Sequence, residues 1–395
     1  MISEKMVDYV KGSSVIRAMF EEGQKLAKIY GEENVYDFSL GNPSVEPPAK
    51  VKEAIVDIIT NENAKQIHGY MLNAGYEDVR TVIADSLNKK HGTSLKQDNI
   101  IMTVGAAGGL NVILKTLLNP GDEVIVFAPF FGEYRSYVKN FEGELVIISP
   151  DTDTFLPNLK EFYDKITSKT KAVIVNTPNN PTGVVYSEKV IMALAEVLNK
   201  KQDEYGTAIY LIADEPYREI VYSNQEVPFI PKYYDNTIVG YSYSKSLSLP
   251  GERIGYLVIP AEVDDFENVV SAAGVATRIL GFVNAPSLMQ KVIARCIDEE
   301  VDIEVYNRNR ELLYNTLTEY GFECVKPDGA FYLWMKILGD NEAEFVKKAK
   351  EFNLLIVGGS AFGGSGYVRM AYCVDYDMIV RALPAFKKLA EAYQA

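Results

Sequence analysis

Residues 171–183 (KAVIVNTPNNPTG) join a short apolar run to a dense cluster of turn-forming residues. A continuous apolar run of this length is typical of a strand that is covered on both faces, as in a parallel sheet. The segment that follows, residues 176–183, is rich in Asn and Pro, which make a loop rigid and can aim an Asn amide. The stretch therefore predicts a buried strand followed by a rigid loop, which is either an ordinary connection or a binding loop.

Similar apolar runs recur along the chain and alternate with helical patterns. The predicted strands cover residues 99–104, 123–128, 144–149, 172–176, 209–213, 237–242 and 256–259. The predicted helices among them cover residues 49–60, 106–118 and 187–201. Strands that alternate with helices indicate an α/β fold, with a mostly parallel sheet between layers of helices.

The pattern changes after about residue 285. Helical patterns at 286–320, 341–352 and 377–393 surround two predicted strands at 330–336 and 366–372, which indicates a smaller α+β domain. A chain of 395 residues is long enough for two domains. We therefore predict a large domain (49–285), a small C-terminal domain (286–395) and an N-terminal segment (1–48) that packs with the small domain.

The composition argues against several classes of function. The chain has 40 Lys and Arg against 54 Asp and Glu, a net charge of −14, and so acidic a surface repels a nucleic-acid backbone. No run of apolar residues is long enough for a transmembrane helix, and the N-terminus lacks the apolar core of a secretory signal. We expect neither a nucleic acid nor a membrane among the partners of this protein.

Cysteine and histidine are both scarce. The three cysteines (Cys296, Cys324 and Cys373) are widely spaced and odd in number, which disfavours a disulfide framework and favours a reducing cytoplasm. His68 and His91 have no nucleophile motif nearby, so a Ser-His-Asp hydrolase and a His-rich metal site are both disfavoured. We expect no metal, and we expect Lys, Tyr or a carboxylate to transfer protons.

In α/β sheets, ligands bind beyond the carboxyl ends of the strands, so the residues that follow each strand are candidates. Residues 105–109 (GAAGG) open a helix and form either an anion site or a tight turn. Asp214 follows a buried strand and needs a partner, which would be a protonated ring nitrogen or the start of a helix. Lys245 and Arg253 offer an amine nucleophile and a phosphate clamp, or two solvated surface residues.

Taken together, these segments resemble the fold-type I, pyridoxal-phosphate-dependent aminotransferases of class I/II, the aspartate aminotransferase-like enzymes. The resemblance extends from about Ser14 to the C-terminus. The matching motifs are Gly41-Asn42-Pro43, Tyr70 followed by Gly75 and Arg80, NTPNNPTG (176–183), DEPY (214–217), SYSK (242–245), GERIG (251–255) and Tyr367-Val368-Arg369. The resemblance implies the fold of that family and pyridoxal 5′-phosphate as the cofactor.

The resemblance also implies the catalytic residues. Lys245 matches the lysine that holds the cofactor as a Schiff base and, when released, shuttles the Cα proton. Asp214 matches the aspartate that keeps the pyridinium nitrogen protonated. Asn180 and Tyr217 match the two groups that hydrogen-bond the phenolic oxygen of the ring.

Further residues match the groups that bind the rest of the cofactor. Phe131 matches the aromatic residue that stacks on the pyridine face, and its neighbour Phe130 is the alternative. The phosphate ligands implied are the backbone N–H groups of Ala106 and Ala107 and the side chains of Ser242 and Arg253. Tyr70 matches a residue that reaches the phosphate of the neighbouring subunit, which implies a homodimer with shared active sites.

The substrate contacts are implied in the same way. Arg369 matches the arginine that binds the α-carboxylate of the substrate, together with Gly41 and Asn180. Arg278 precedes Asn-Ala-Pro (284–286) and is either a partner-subunit cation that binds the substrate side chain or an ordinary surface arginine. Some bacterial relatives that act on aspartate have a lysine where this chain has Ala107, so the identity of the side-chain pocket stays open.

Three functions follow, in descending order of support. The first is a transaminase that moves an amino group from an L-amino acid, such as aspartate or another common amino acid, to a 2-oxo acid by a ping-pong route. The second is a C–S β-lyase or another elimination, because one cofactor supplies the chemistry of both reactions. The third, a cofactor-binding regulator, is disfavoured by the net charge of −14. For either enzyme we expect the small domain to close over the substrate.

Overall fold

The computed structural model describes residues 2–11, 15–222 and 225–394. The strands are β1 (Tyr36–Asp37), β2 (Ile100–Thr103), β3 (Glu123–Phe127), β4 (Glu144–Ile148), β5 (Thr170–Asn176), β6 (Tyr210–Asp214), β7 (Thr237–Ser242), β8 (Gly255–Val258), β9 (Cys324–Val325), β10 (Tyr332–Lys336), β11 (Leu354–Leu355), β12 (Val357–Gly358) and β13 (Tyr367–Ala371). Within these ranges, none of the helices has the length and apolar character needed to cross a bilayer.

The helices alternate with the strands through the first two thirds of the chain. They are α1 (Glu4–Lys11), α2 (Val15–Tyr30), α3 (Ala49–Asn61), α4 (Ala64–His68), α5 (Glu77–His91), α6 (Gly105–Leu117), α7 (Tyr134–Asn140), α8 (Leu159–Lys165), α9 (Glu188–Tyr205), α10 (Tyr243–Ser246), α11 (Phe266–Ile279), α12 (Ser287–Arg295), α13 (Glu304–Glu319), α14 (Glu342–Glu351) and α15 (Tyr376–Gln394).

A seven-stranded sheet forms the centre of the molecule, with the strand order β2-β8-β7-β6-β5-β3-β4. The five strands from β3 to β7 are parallel, while β8 runs antiparallel to both of its neighbours. The mostly parallel α/β sheet predicted from the apolar runs is thus confirmed. The register pairs Asn176 with Asp214 and Asp214 with Gly240, so the ends of β5, β6 and β7 meet at one edge.

Helices cover both faces of this sheet, which is why its strands are continuously apolar. On one face, α6 packs against β7 and β8, and α11 packs on α6. On the other face, α12 packs against α3 and α5, and α5 contacts β2. Helix α3 buries Val51, Ala54 and Ile58, three residues of the apolar face that the sequence pattern predicts.

A second, antiparallel sheet of four strands has the order β12-β13-β10-β9. Helices α13, α14 and α15 pack around it, over a core that includes the fully buried Phe331, Phe345 and Phe386. The N-terminal segment joins this region through β1, which pairs with β11 in parallel. Phe38, directly after β1, is buried in the same core.

The continuous helix predicted for residues 286–320 is wrong, because the structure has two helices there, α12 and α13. The connection contains Asp298 and Asp302, whose side chains can bond nearby backbone groups in non-helical conformations. Helix α12 ends at Arg295, followed by Cys296. Asp302 then accepts a hydrogen bond from the backbone N–H of Glu304 (3.0 Å) and so caps the start of α13.

Candidate active site

A cavity of about 250 Å³ opens at the carboxyl edge of the seven-stranded sheet, beside β10 and β13 of the smaller sheet. The parallel strands end there together, so the residues that follow them converge. Every residue predicted for the site lines this cavity, except Tyr70 and Arg278. These lining residues are Gly41, Ala106, Ala107, Phe131, Asn180, Asp214, Tyr217, Ser242, Lys245, Arg253 and Arg369.

One end of the cavity is suited to an anion. Helix α6 begins there, with Ala106 and Ala107 in its first turn, where backbone N–H groups lack helical partners. Gly105 has a φ of 77°, and a Cβ at this position would lie 2.8 Å from the Arg253 guanidinium, so a side chain would displace that cation. Ser242 caps α10 by accepting from the Ser244 N–H (3.1 Å), and their hydroxyls are 2.7 Å apart.

Asp214 lies at the buried end of β6. The Asn176 side chain donates to its backbone carbonyl (2.8 Å), and the Tyr134 hydroxyl donates to its Oδ2 (2.5 Å). Its other oxygen, Oδ1, is buried and has no hydrogen-bond partner among the described residues. Burial raises the pKa of Asp214 to about 7, against the lowering effect of Tyr134. This oxygen can therefore accept a hydrogen bond from a protonated ring nitrogen.

Sequence reasoning missed Tyr134. It lies at the start of α7, three residues after Phe131, and no motif in that segment distinguishes its hydroxyl from any other tyrosine's. Phe131 itself lines the cavity, edge-on to the Tyr134 ring at a centroid distance of 5.6 Å. The alternative, Phe130, is packed in the core, and its N–H donates to the Phe362 carbonyl. Of the two phenylalanines, Phe131 is therefore the one that lines the cavity.

The amine of Lys245 lies inside the cavity. Its Nζ donates to the carbonyl of Gly41 (2.6 Å) and lies 5.2 Å from the centre of the Phe331 ring. Burial, with smaller contributions from the positive charges of Arg253 and Arg369, lowers the pKa of Lys245 to about 8. A pKa so close to neutrality leaves a substantial fraction of the amine uncharged, which a nucleophile or a general base requires.

Tyr217 forms a pair with Tyr332, which sequence reasoning did not identify. Their hydroxyls are 2.8 Å apart, and burial raises the pKa of both, that of Tyr332 to about 12. Gly41 lies against this pair, because a Cβ at position 41 would collide with the Tyr332 hydroxyl. The close approach explains why the position has no side chain.

Arg369 is a buried cation without a counter-ion among the described residues. Its side chain is about 1% exposed, and its guanidinium donates to Asn180 Oδ1 (3.0 Å) and to the Ser39 carbonyl. Within the part of the chain that the structure describes, no carboxylate lies within 4.0 Å of it, and its Nε has no partner. A buried charge in this state is destabilising unless a ligand neutralises it. Asn180 is itself held by Asn176, which accepts its N–H (2.8 Å).

Two predicted residues lie outside the cavity. Tyr70 is 91% exposed on the segment between α4 and α5, and Arg278 is exposed in the last turn of α11. They nevertheless belong to adjoining segments, because the Asn73 amide donates to the carbonyl of Val283 (2.5 Å). A single chain therefore does not bring these two side chains to the rest of the site.

Comparisons with known proteins relate nearly the whole chain to one family. The family model described as aminotransferase class I and II matches residues 33–386. An aspartate aminotransferase from Pyrococcus horikoshii is 29% identical over 96% of this chain and 95% of its own length. An aspartate/prephenate aminotransferase from Thermus thermophilus is 30% identical over 88% of this chain and 89% of its own.

Solved structures give the same result. The crystal structure of an amino transferase from Eubacterium rectale is similar over 100% of both chains, with a TM-score of 0.97 and 46% identity. The aspartate aminotransferase of Thermus thermophilus with maleate covers 98% of this chain and 99% of its own, with a TM-score of 0.86 and 26% identity.

Proposed function

Because the chain belongs to the class I and II aminotransferases, which depend on pyridoxal phosphate, we propose an acidic L-amino acid as its amino donor, with aspartate as the first candidate. The names of its relatives support aspartate. They do not favour the C–S β-lyase alternative, because the relatives are aminotransferases. The buried Arg369, which has no counter-ion among the described residues, supports a substrate with an α-carboxylate, and the acidic side chain of the donor rests on the names of the relatives.

The cavity fits the cofactor in three respects. The orphaned Asp214 Oδ1 suits a protonated pyridine nitrogen, and the start of α6 with Arg253 suits a phosphate. The Lys245 amine suits the aldehyde, to which it would be joined as a Schiff base. The residues that would hold the group are Ala106, Ala107, Phe131, Asn180, Asp214, Tyr217, Ser242, Lys245 and Arg253. When bound, pyridoxal phosphate supplies an electron-accepting ring beside the substrate Cα.

The residues of this chain then have separate tasks. Arg369 and Asn180 bind the α-carboxylate, and the backbone of Gly41 lies beside them, which fixes the orientation of the Cα–H bond. Lys245 Nζ accepts the Cα proton and passes it on, since its pKa lies near neutrality. Asp214 would hold a proton on the ring nitrogen of the bound group through its Oδ1. Two half-reactions on these same residues give a ping-pong route from an amino acid to a 2-oxo acid.

We also propose that the active enzyme is a homodimer in which Tyr70 and Arg278 complete the site of the partner. Both are exposed, and neither reaches its own cavity. The surface around them carries exposed apolar side chains, Leu72, Ile279 and Val283, as expected of an interface. Sedimentation would show the dimer. Arg278→Gln would then weaken the use of aspartate more than that of an uncharged amino acid.

Domain organisation and location complete the proposal. The pairing of β1 with β11 supports a unit formed by the segment 1–48 and the small domain 286–395, which would close over the large domain 49–285. A reducing cytoplasm is supported by three free thiols. Small-angle scattering of the holoenzyme with maleate, a dicarboxylate without an amine, would detect the closure. An unchanged radius of gyration at saturation would contradict it.

The donor is tested by a visible absorbance scan of the loaded protein, with amino acids added singly and without a 2-oxo acid. We expect aspartate to abolish the original cofactor band and to release one equivalent of its 2-oxo acid per site, with no ammonia. Lys245→Ala is the control and should release none. If aspartate left the band unchanged and another amino acid abolished it, that other amino acid would be the donor and the proposal would be refuted.

A further inference from the structure

A second cavity, of about 580 Å³, lies on the face of the seven-stranded sheet that α5 and α12 cover. We call it the tyrosine cavity, after Tyr241 on β7, Tyr256 on β8 and Tyr243 just beyond β7. Its lining shares no residue with that of the catalytic cavity. The reaction described above makes no use of it.

The three tyrosines pack against one another. Tyr241 and Tyr256 are opposite each other in the β7–β8 register, with ring centroids 4.8 Å apart, and Tyr243 meets Tyr241 edge-on at 5.2 Å. All three are at least nine-tenths buried. The Tyr241 hydroxyl donates to Ser246 Oγ (2.8 Å), but the hydroxyls of Tyr243 and Tyr256 have no partner among the described residues. Both residues line the cavity, so these two hydroxyls are available to an occupant.

Glu219 adds an unsatisfied carboxylate to the same cavity. Its Oε2 is buried and has no hydrogen-bond partner among the residues described. The adjacent Arg218 does not supply one, because its Nε and Nη2 donate to Glu215 (2.6 and 2.8 Å). Its Nη1 and Nη2 also donate to the carbonyls of Val227 (2.9 Å) and Pro228 (2.7 Å). Arg218 is therefore paired with Glu215, and no salt bridge to Glu219 is formed by the described residues. Burial raises the pKa of Glu219, while Tyr241 and the charges of Arg218 and Lys90 favour its ionised form.

The remaining groups leave the cavity with an excess of negative charge. Its mouth carries Glu226, Glu300 and Lys90, all exposed. The ring of His91 lies flat against Phe229 at 4.3 Å, and burial lowers the pKa of His91 to about 4, so the ring is neutral near pH 7. Two rim carboxylates and Glu219 thus face one lysine and one neutralised arginine.

We propose that the tyrosine cavity binds a small organic ammonium ion. An N–H of that ion would donate to Glu219 Oε2, and its hydrocarbon groups would pack on the tyrosine rings, which attract cations. An anion would be repelled by Glu219. An uncharged apolar molecule would leave the carboxylate and both hydroxyls unsatisfied. The inference concerns a separate cavity and does not depend on the identity of the amino donor.

The test uses triethylammonium, which donates one N–H and, as a tertiary amine, cannot condense with the cofactor aldehyde in the catalytic cavity. Saturation-transfer NMR on the loaded enzyme measures its affinity. We expect binding at millimolar concentrations, and an affinity at least about tenfold lower in Glu219→Gln. Glu300→Gln at the rim is the matched control and should change the affinity less than about threefold.

Three outcomes would overturn the proposal. The first is an absence of saturation transfer, and the second is equal affinity in Glu219→Gln and the wild type. The third is complete displacement by an equal concentration of potassium chloride, which would make the site one for an inorganic cation. If Glu219→Gln fails to fold, Ser86→Phe narrows the same cavity from α5 and should abolish binding. Undiminished binding in that variant would refute the assignment equally.

Discussion

The hydrogen bond from Tyr134 to Asp214 gives the sharpest test of the site. Burial favours the neutral form of Asp214, and the Tyr134 hydroxyl is the one group in the described structure that opposes this by bonding its carboxylate. Tyr134→Phe removes the hydroxyl without removing the ring. The pKa of Asp214 should then rise above about 7, and less of the carboxylate would be available to a protonated ring nitrogen.

The magnitude follows from the type of bond. A hydrogen bond to a charged group contributes about 1.5–3 kcal/mol, and about 1.4 kcal/mol is a factor of ten. Because Tyr134 is buried and water does not replace the hydroxyl, we expect kcat/KM for aspartate to fall about ten- to hundredfold at pH 7. The affinity for the cofactor, measured by fluorescence, should also fall.

The pH dependence and a control variant separate this effect from general damage. Asp214 is ionised at high pH with or without Tyr134, so the defect of Tyr134→Phe should shrink between pH 6 and pH 9. Tyr137→Phe lies on the same helix, where its hydroxyl makes no described hydrogen bond to Asp214, and it should stay within about threefold of the wild type. A Tyr134→Phe enzyme within twofold of the wild type at pH 6 would refute the reasoning.

Three further predictions concern the same cavity. The folded-state pKa of Asp214 is raised, so the stability that this group contributes is complete below pH 4 and is lost as the pH rises through about 7. Asp214→Asn should therefore raise the Tm of the apoprotein at pH 8 by a few degrees while abolishing turnover; an unchanged Tm would be evidence against a buried carboxylate. Arg369→Lys loses the planar fork, so kcat/KM should fall about thirtyfold with the cofactor absorbance unchanged, and a loss below threefold would argue against carboxylate binding there. Gly41→Ala should lower kcat/KM about tenfold by displacing the Tyr332 hydroxyl. Adding Tyr332→Phe to the Gly41→Ala variant should restore part of that loss. If it restored none, the collision with the Tyr332 hydroxyl would not be the cause.

The residues that sequence reasoning could place from the strand pattern lie at or just beyond the carboxyl ends of the parallel strands, whereas Gly41 and Arg369 were identified only through family motifs. Asn180, Asp214 and Lys245 could be identified because the register brings the ends of β5, β6 and β7 to one edge. Tyr134 and Tyr332 could not, since α7 and β10 approach the cavity through tertiary packing that no local pattern encodes. The sequence pattern also treated residues 286–320 as one helical stretch, whereas the structure has α12 and α13 there.

The cavity keeps two buried charges of opposite sign apart. Among the described residues, Asp214 Oδ1 and Arg369 Nε have no hydrogen-bond partner, and Arg369 has no carboxylate partner. An ion pair between them would be the simplest way to stabilise the folded chain, yet Asp214 bonds Tyr134 and Arg369 bonds Asn180. Each charge is held by a neutral neighbour, which orients it without neutralising it. The arrangement leaves one charge for the cofactor ring and the other for the substrate carboxylate, so binding of both should stabilise the folded enzyme more than either does alone.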